Sequence, residues 1–390
     1  MSQSTRLHVV DALRGFAIVS IMLLHNIEHF DFYFSPQGIP SWMIPIYKAI
    51  WDILFFLFGG KSYAIFSLLF GLTFFIQSDN HERKGKDFRL RFAWRLLLLF
   101  GFGLINSAFY EGDILTIYAV LGLALIPVAK LNNKIVSWIA VILMLQPYEW
   151  YNVVKGFLNP DMILSDPLSW KYFGRAGEYI TQNSFIDTIT GNLTNGKNAV
   201  ILWTWEVGRV FQTVSLFMFG MLAGRKAMFD ATIVNRKRWS KILLSATLLF
   251  IPLYITKNNI PEWFTSVAIN RPLQTIVVSW SNMAFMMILV STFVLMYQSI
   301  VINKFLNIFS SFGRMSMSNY IMQSVLGSVI YYGFGLGLYQ YTGATYCLLI
   351  GIVLAIIQGI FSSWWMKNHK QGPLETIWHK LTWISFKKAV

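Results

Sequence analysis

The chain carries a single cysteine, Cys347. That excludes an intramolecular disulfide, a cysteine-rich metal site and a CxxC redox pair, and leaves Cys347 the reading of a small core residue. Charge is scarce too. Only 13% of the 390 residues are Asp, Glu, Lys or Arg, well under the ~25% of an ordinary soluble domain. No internal repeat is visible, so the inverted-repeat signature of many secondary transporters is missing. His25 and His29 are four apart, but no HExxH surrounds them, and no metal site is expected. The first apolar run contains charges and is followed by no small-residue cleavage site, so no cleavable signal peptide is expected.

What remains is apolar. Hydrophobic residues make up 55% of the chain, and several runs reach or approach the roughly 20 residues that a bilayer demands. They do not alternate, which argues against a membrane barrel. The expected fold is an all-α polytopic membrane protein. Ten transmembrane helices are expected near 9–29, 62–78, 91–109, 113–130, 135–154, 199–223, 240–256, 272–297, 315–336 and 342–366. The 44–58 stretch is short and holds Pro45, Lys48 and Asp52, and reads as a re-entrant or interfacial helix. The whole chain, 1–390, forms one bundle. The long 155–198 connection, with Trp170, Tyr172, Phe173 and Tyr179, is expected to make an outer cap, and 367–390 a cytoplasmic tail.

The net charge of +14 does not point to nucleic acid. Most Lys and Arg gather in one set of short loops. Apart from Lys48 and Lys61 in the 44–61 segment, the other set holds Lys155, Lys171, Arg175, Lys197, Lys257 and Arg271. The positive-inside rule therefore predicts a cytoplasmic C-terminus in a multi-pass plasma (inner) membrane protein. The expected partners are the lipid bilayer and a small-molecule or glycan acceptor, and the sequence admits a homodimer.

The run "VVDALRGFAIVSIMLLHNIEHF", residues 9–30, places Asp11, Arg14, His25, Glu28 and His29 within or beside a span. Ionisable groups there are costly, roughly 2.5–3.5 kcal/mol each on insertion scales. At 100° per residue Asp11, Arg14, His25 and His29 share an arc of about 60°, with Arg14 and His25 roughly 16 Å apart along the axis. The stripe must face the bundle interior or a wet cavity. Histidine titrates near neutral pH, which suits general base work.

"DALRGFAIVSIMLLHN" resembles the first-helix motif of the transmembrane acyltransferase superfamily, which includes the acyltransferase-3 proteins and heparan-α-glucosaminide N-acetyltransferase. The YeiB-like branch fits best. Its pattern recurs as "FGGKSYAIFSLLFGLTFFIQ", "RFAWRLLLLFGFGLINSAFYEGDILTIYAVLG", "MFGMLAGRKAMF", "GRMSMSNYIMQS" and "GPLETIW". YeiB-like proteins usually carry Asn at the position of His25, where acyltransferase-3 proteins have their presumed catalytic His. Many also have His at the position of Asn106. For the glucosaminide enzyme's catalytic His, His29 is the nearest counterpart.

The resemblance implies acyl-CoA, with acetyl-CoA foremost, as donor from the cytoplasm and an acceptor acylated at the outer side. Asp11, Arg14, Arg91, Arg95 and Arg314 fall at inner helix ends, and an arginine cluster suits phosphate. His25, His29, Glu111, Asp113 and Glu206 form an outer layer. His25 is expected as the base, oriented by Asp113 or Glu111; Asp113 could equally cap the helix that follows it. Asn319 and Gln323, one turn apart, could bind a pantetheine amide or a developing oxyanion, or simply join two helices. A proton-coupled transporter and a non-catalytic acyl-CoA or lipid sensor are the competing readings.

Overall fold

The computed structural model describes residues 7–30, 34, 36 and 38–384. All regular structure among them is helical, the arrangement in which an apolar segment satisfies its own backbone without water. Among the described residues six helical runs are long and apolar enough to cross a membrane: His8–Ile27, Ser41–Glu82, Arg89–Phe109, Ile233–Trp263, Val267–Tyr297 and Ala344–Asn368. A seventh counts if Phe185–Glu206 and Arg209–Arg225, bent by 73° at their junction, make one span.

That is fewer than the ten expected, and the reason lies in helix breaks inside runs that read as single spans. The 113–130 run divides into Leu115–Gly122 and Leu125–Val128. The 135–154 run divides into Asn133–Met144 and Pro147–Leu158, hinged at Gln146, whose φ is 60°. The 199–223 run breaks at Gly208, φ 69°. The 315–336 run is a helix only over Ser316–Tyr331. Two of these breaks are tied together. The Gln146 amide donates to the Gly208 carbonyl (2.9 Å) and to Ser279 Oγ (3.1 Å), so a polar side chain replaces backbone bonds lost at the hinge. The 44–58 stretch is helical, Ile44–Phe58, and runs into Ser62–Glu82 across Gly59–Lys61 within one apolar run.

The first helix is the hub. It packs on Ser62–Glu82, Phe309–Arg314, Ser316–Tyr331 and Ala344–Asn368, and Ala12, Leu13, Ala17, Ile18 and Met22 are wholly buried. It crosses Phe309–Arg314 in backbone contact through Gly15 and Gly313. Ser62–Glu82 and Arg209–Arg225 cross in the same way through Gly71 and Gly220. Small residues at such crossings let helix backbones approach where no hydrophobic drive exists.

The 155–198 connection carries the short helices Leu168–Phe173, Gly177–Ile180 and Phe185–Gly191. Glu206 secures the first of these, accepting from the Leu168 N–H (2.8 Å) and from the backbone and hydroxyl of Ser169.

The described part of the expected tail is no loose tail. Pro373–Thr382 is a helix lying on Arg89–Phe109 and Ser316–Tyr331. Its Glu375 caps Ser316–Tyr331 from outside that helix. Oε1 accepts the N–H groups of Met317 (2.7 Å) and Ser318 (3.1 Å), and Oε2 accepts the Ser318 hydroxyl. Burial pushes the Glu375 carboxyl above its ordinary 4.5, although these hydrogen bonds pull it down. A carboxyl raised in the folded state stabilises the fold below 4.5 and loses that contribution as pH climbs through its raised value. Glu375→Ala should cost about 1–3 kcal/mol, the penalty for stranding buried donors. Thermal unfolding in detergent between about pH 4 and 8 should show wild type falling relative to Glu375→Gln as pH rises. Parallel pH curves for the two would remove the titration from Glu375.

Candidate active site: two cavities that share a wall

Helix one lines two cavities in succession. The first, about 1220 Å³, takes Asp11, Arg14, Ile18 and Ile21 from it. The second, about 1210 Å³, takes Ile21, Leu24, His25 and Glu28. Ile21, Tyr63, Ile114 and Tyr320 line both and form the partition between them. The Ile114 N–H points to Tyr320 Oη at 3.4 Å, which links two of the four.

The first cavity is rich in guanidinium. Arg14 pairs with Asp11 (3.4 Å) and donates to Thr73 Oγ1 (3.0 Å). An i,i+3 carboxylate and a hydroxyl from the neighbouring helix therefore fix its direction. Arg83, Arg95, Arg225 and Arg314 also line the space. Arg95 is buried, donates to Thr382 Oγ1 (3.2 Å) and stacks at 4.1 Å on Trp378. Arg314 donates to the Lys370 carbonyl (3.1 Å). Glu375, Trp378 and His379 supply a wall, so the C-terminal helix is part of the chamber. Those three were missed because the terminal segment reads as a tail. The "GPLETIW" block was their signal, with Pro373 at a helix start and acid in the first turn.

Arg91 does not line either cavity. It donates to the carbonyls of Thr382 (2.6 Å) and Ile384 (3.3 Å) and lies over the Trp383 ring, holding the C-terminal helix in place. Asn319 is also structural: it bonds Ser362 on the Ala344–Asn368 helix (3.0 Å) and the Phe312 carbonyl (3.3 Å). Gln323 is fully buried, outside the lining of both cavities, and its amide has no hydrogen-bond partner among the described residues.

In the second cavity His25 Nε2 is 2.9 Å from Tyr110 Oη, with ring centroids 4.6 Å apart. Nδ1 has no partner among the described residues. The group that orients the imidazole is thus a phenol. Tyr110 lies immediately past Arg89–Phe109 in extended backbone, beside the two carboxylates on which sequence reasoning settled instead.

Those carboxylates are engaged elsewhere. Asp113 is buried and accepts from Asn106 (3.0 Å), from the N–H and hydroxyl of Thr116 (2.9 Å each) and from Lys197 Nζ (3.3 Å). It caps Leu115–Gly122 and neutralises a lysine; His25 is not among its partners. Glu111 Oε2 accepts the Tyr179 hydroxyl (2.7 Å), joining the 155–198 connection to the bundle. Burial and the Glu111 charge push the Tyr179 phenol upward, which keeps the proton on Tyr179. His29 is buried, not solvated. It takes a left-handed φ of 49°, and Nε2 lies 2.8 Å from the Thr342 carbonyl and 3.3 Å from Cys347 Sγ. It lines neither cavity and joins the end of helix one to the start of Ala344–Asn368. Among the described residues no three His, Cys, Asp or Glu side chains converge as a metal site would require.

Residues 223–385 match a family described as protein of unknown function (DUF418). The matched stretch contributes Asp230, Arg314, Tyr320 and Glu375 to the first cavity. Three curated proteins resemble nearly the whole chain. The uncharacterized protein YxaH of Bacillus subtilis (strain 168) is 27% identical over 98% of this chain and 95% of its own length. The uncharacterized 39.9 kDa protein in the amylase 3' region of Bacillus acidopullulyticus is 24% identical over 97% and 94%. The uncharacterized protein YeiB of Escherichia coli (strain K12) is 23% identical over 96% and 95%. The chain thus carries a DUF418 match in its C-terminal part and is similar along nearly its full length to uncharacterized proteins, YeiB among them.

Proposed function

We propose that this protein is an integral membrane acyltransferase that takes an acyl group, acetyl in the first instance, from cytoplasmic acyl-CoA. The acceptor is a sugar, lipid or small molecule at the other face of the plasma (inner) membrane. One observation carries the reading: two cavities of nearly equal size meet at a four-residue partition, with arginines on one side and an imidazole on the other, and helix one supplies Arg14 to the first and His25 to the second. Arg83, Arg225 and Lys370 come from the basic loops and line the first cavity, which supports a cytoplasmic mouth there. Guanidinium forks match the phosphates of a nucleotide thioester, and Arg14 is directed by Asp11 and Thr73.

In this reading His25 takes the proton from the acceptor hydroxyl or amine. The acceptor oxygen or nitrogen then attacks the thioester carbonyl, the C–S bond breaks, and the imidazolium returns its proton to the departing CoA thiolate. Tyr110 holds the ring in place through Nε2. The partition must part locally for the thioester to meet the acceptor. The same partition also favours a second reading, a carrier caught closed between two vestibules.

The test is release of CoA thiol from radiolabelled acetyl-CoA by protein in proteoliposomes supplied with a cell-envelope extract. Turnover should appear, and Arg14→Gln should raise KM about tenfold with little change in kcat, as for the loss of one charge-assisted contact. No thiol release, together with proton-driven solute uptake into the same vesicles, would favour the carrier.

A further inference from the structure

The second cavity carries more positive charge than its own residues neutralise. Its ionisable lining comprises His25, Glu28, Asp52, Lys61, Arg209 and Lys257. Asp52 is already paired with Lys48. Among the described residues Lys61, Arg209 and Lys257 have no ion-pair partner. Lys61 donates to the Phe55 carbonyl at 3.4 Å, lies near the Phe56 and Phe285 rings and feels the like charge of Lys257. The Arg209 guanidinium makes no hydrogen bond among the described residues. It packs on two rings, 3.8 Å from the Trp203 centroid and 4.3 Å from that of Tyr63. The two rings contact the guanidinium without using its N–H donors, which leaves those donors for a planar or tetrahedral anion. Unpaired cations inside a mostly apolar bundle are expensive unless a counter-charge arrives.

From this we infer that the second cavity binds a phosphate-bearing molecule, with Arg209, Lys61 and Lys257 as its ligands. Three cations lining one chamber fit the multiple charge of a phosphate better than a single carboxylate. The flat Trp203 and Tyr63 surfaces beside them suit a ring or chain attached to that phosphate. If the acyl-transfer reading holds, this molecule is the acceptor; the binding claim itself requires no turnover. The phosphate could enter on a lipid or on a water-soluble compound. Phe56 and Tyr254, which line the cavity and touch at 5.7 Å, belong to helices with exposed apolar faces, which gives a lipid a lateral approach.

The experiment titrates purified full-length protein in neutral detergent, without acyl-CoA. The soluble arm compares glycerol 3-phosphate with glycerol. The lipid arm compares lysophosphatidylglycerol with lysophosphatidylcholine. Tryptophan fluorescence reports occupancy, since Trp51, Trp170 and Trp203 line the site, and native mass spectrometry counts bound molecules. At least one phosphate probe should bind about tenfold or more tighter than its counterpart, and Arg209→Gln and Lys61→Gln should each remove about tenfold of that affinity. Arg209→Lys should fall between, and the exposed Lys241→Gln should match wild type. Binding by glycerol 3-phosphate assigns a soluble ligand; binding by lysophosphatidylglycerol alone assigns a lipid. The inference is overturned if neither phosphate probe outbinds its counterpart, or if Arg209→Gln and Lys61→Gln, folded as judged by their melting, bind as wild type does. Selective binding without acetyl-CoA turnover would keep this site and discard the transferase. Turnover with an uncharged acceptor, and no phosphate preference, would do the reverse.

Discussion

Replacing His25 with alanine should lower acetyl transfer by about 10²–10⁴-fold, the usual worth of a positioned general base, while leaving acetyl-CoA binding unchanged. The division follows from geometry. His25 lines the second cavity only, whereas Arg14, Arg95 and Arg314 line the first. A kcat effect without a KM effect on acetyl-CoA is therefore the signature, and Arg14→Gln should show the opposite split. Tyr110→Phe tests the orienting bond. It keeps the ring packed against His25 at 4.6 Å and removes only the hydroxyl at Nε2, so a loss of roughly tenfold is expected, the scale of one hydrogen bond. Asp113→Asn should instead show as lost stability, because Asp113 caps a helix and faces Lys197. Equal turnover by wild type and His25→Ala would remove the imidazole from the chemistry and leave the second cavity as a binding chamber.

What the sequence could disclose was set by distance along the chain. The stripe on helix one was legible because helical period and unusual charge both lie within one 20-residue segment. Asp11, Arg14 and His25 all reach a cavity as that stripe requires. Partners from far along the chain were not legible. Nothing near Asp113 announces Lys197, 84 residues on, and nothing near Glu111 announces Tyr179. Arg91 and Arg95 share a face one turn apart, yet that turn separates a cavity wall from a clasp on the C-terminal helix. The helix breaks escaped notice for a related reason. Gln146 and Gly208 interrupt runs that read as single spans although Pro147, Glu149, Glu206 and Arg209 stand beside the breaks, and the Gln146 amide on the Gly208 carbonyl ties the two breaks together. The local signals were present, but the pairing of two hinges 62 residues apart was not legible.

Gly15→Ala and Gly313→Ala should each prevent accumulation of folded protein, at a cost on the order of 3 kcal/mol or more. A Cβ at Gly15 would stand 1.8 Å from the Phe309 carbonyl oxygen, and one at Gly313 would stand 1.8 Å from the Asp11 carbonyl oxygen. Both obstacles are backbone, so no rotamer change relieves them; the two helices must move apart. Gly71→Ala and Gly220→Ala meet the Phe217 and Leu68 carbonyls at the same 1.8 Å and should behave alike. Gly101→Ala is the control. It lies inside Arg89–Phe109 with nothing within 4 Å of the added atom, and should be neutral or stabilising by about 0.5–1 kcal/mol. Membrane yield and thermal unfolding of the five variants check the set. The outcome also separates two meanings of the family pattern. Gly15, Gly71, Gly220 and Gly313 all stand in the blocks that carry the YeiB-like pattern, and two close crossings account for them without any chemistry. If Gly15→Ala folds with wild-type stability yet loses turnover, the crossing is not what the glycine serves. If all four fail to fold, those positions report how the helices pack, and the argument for function rests on Arg14, His25 and Tyr110.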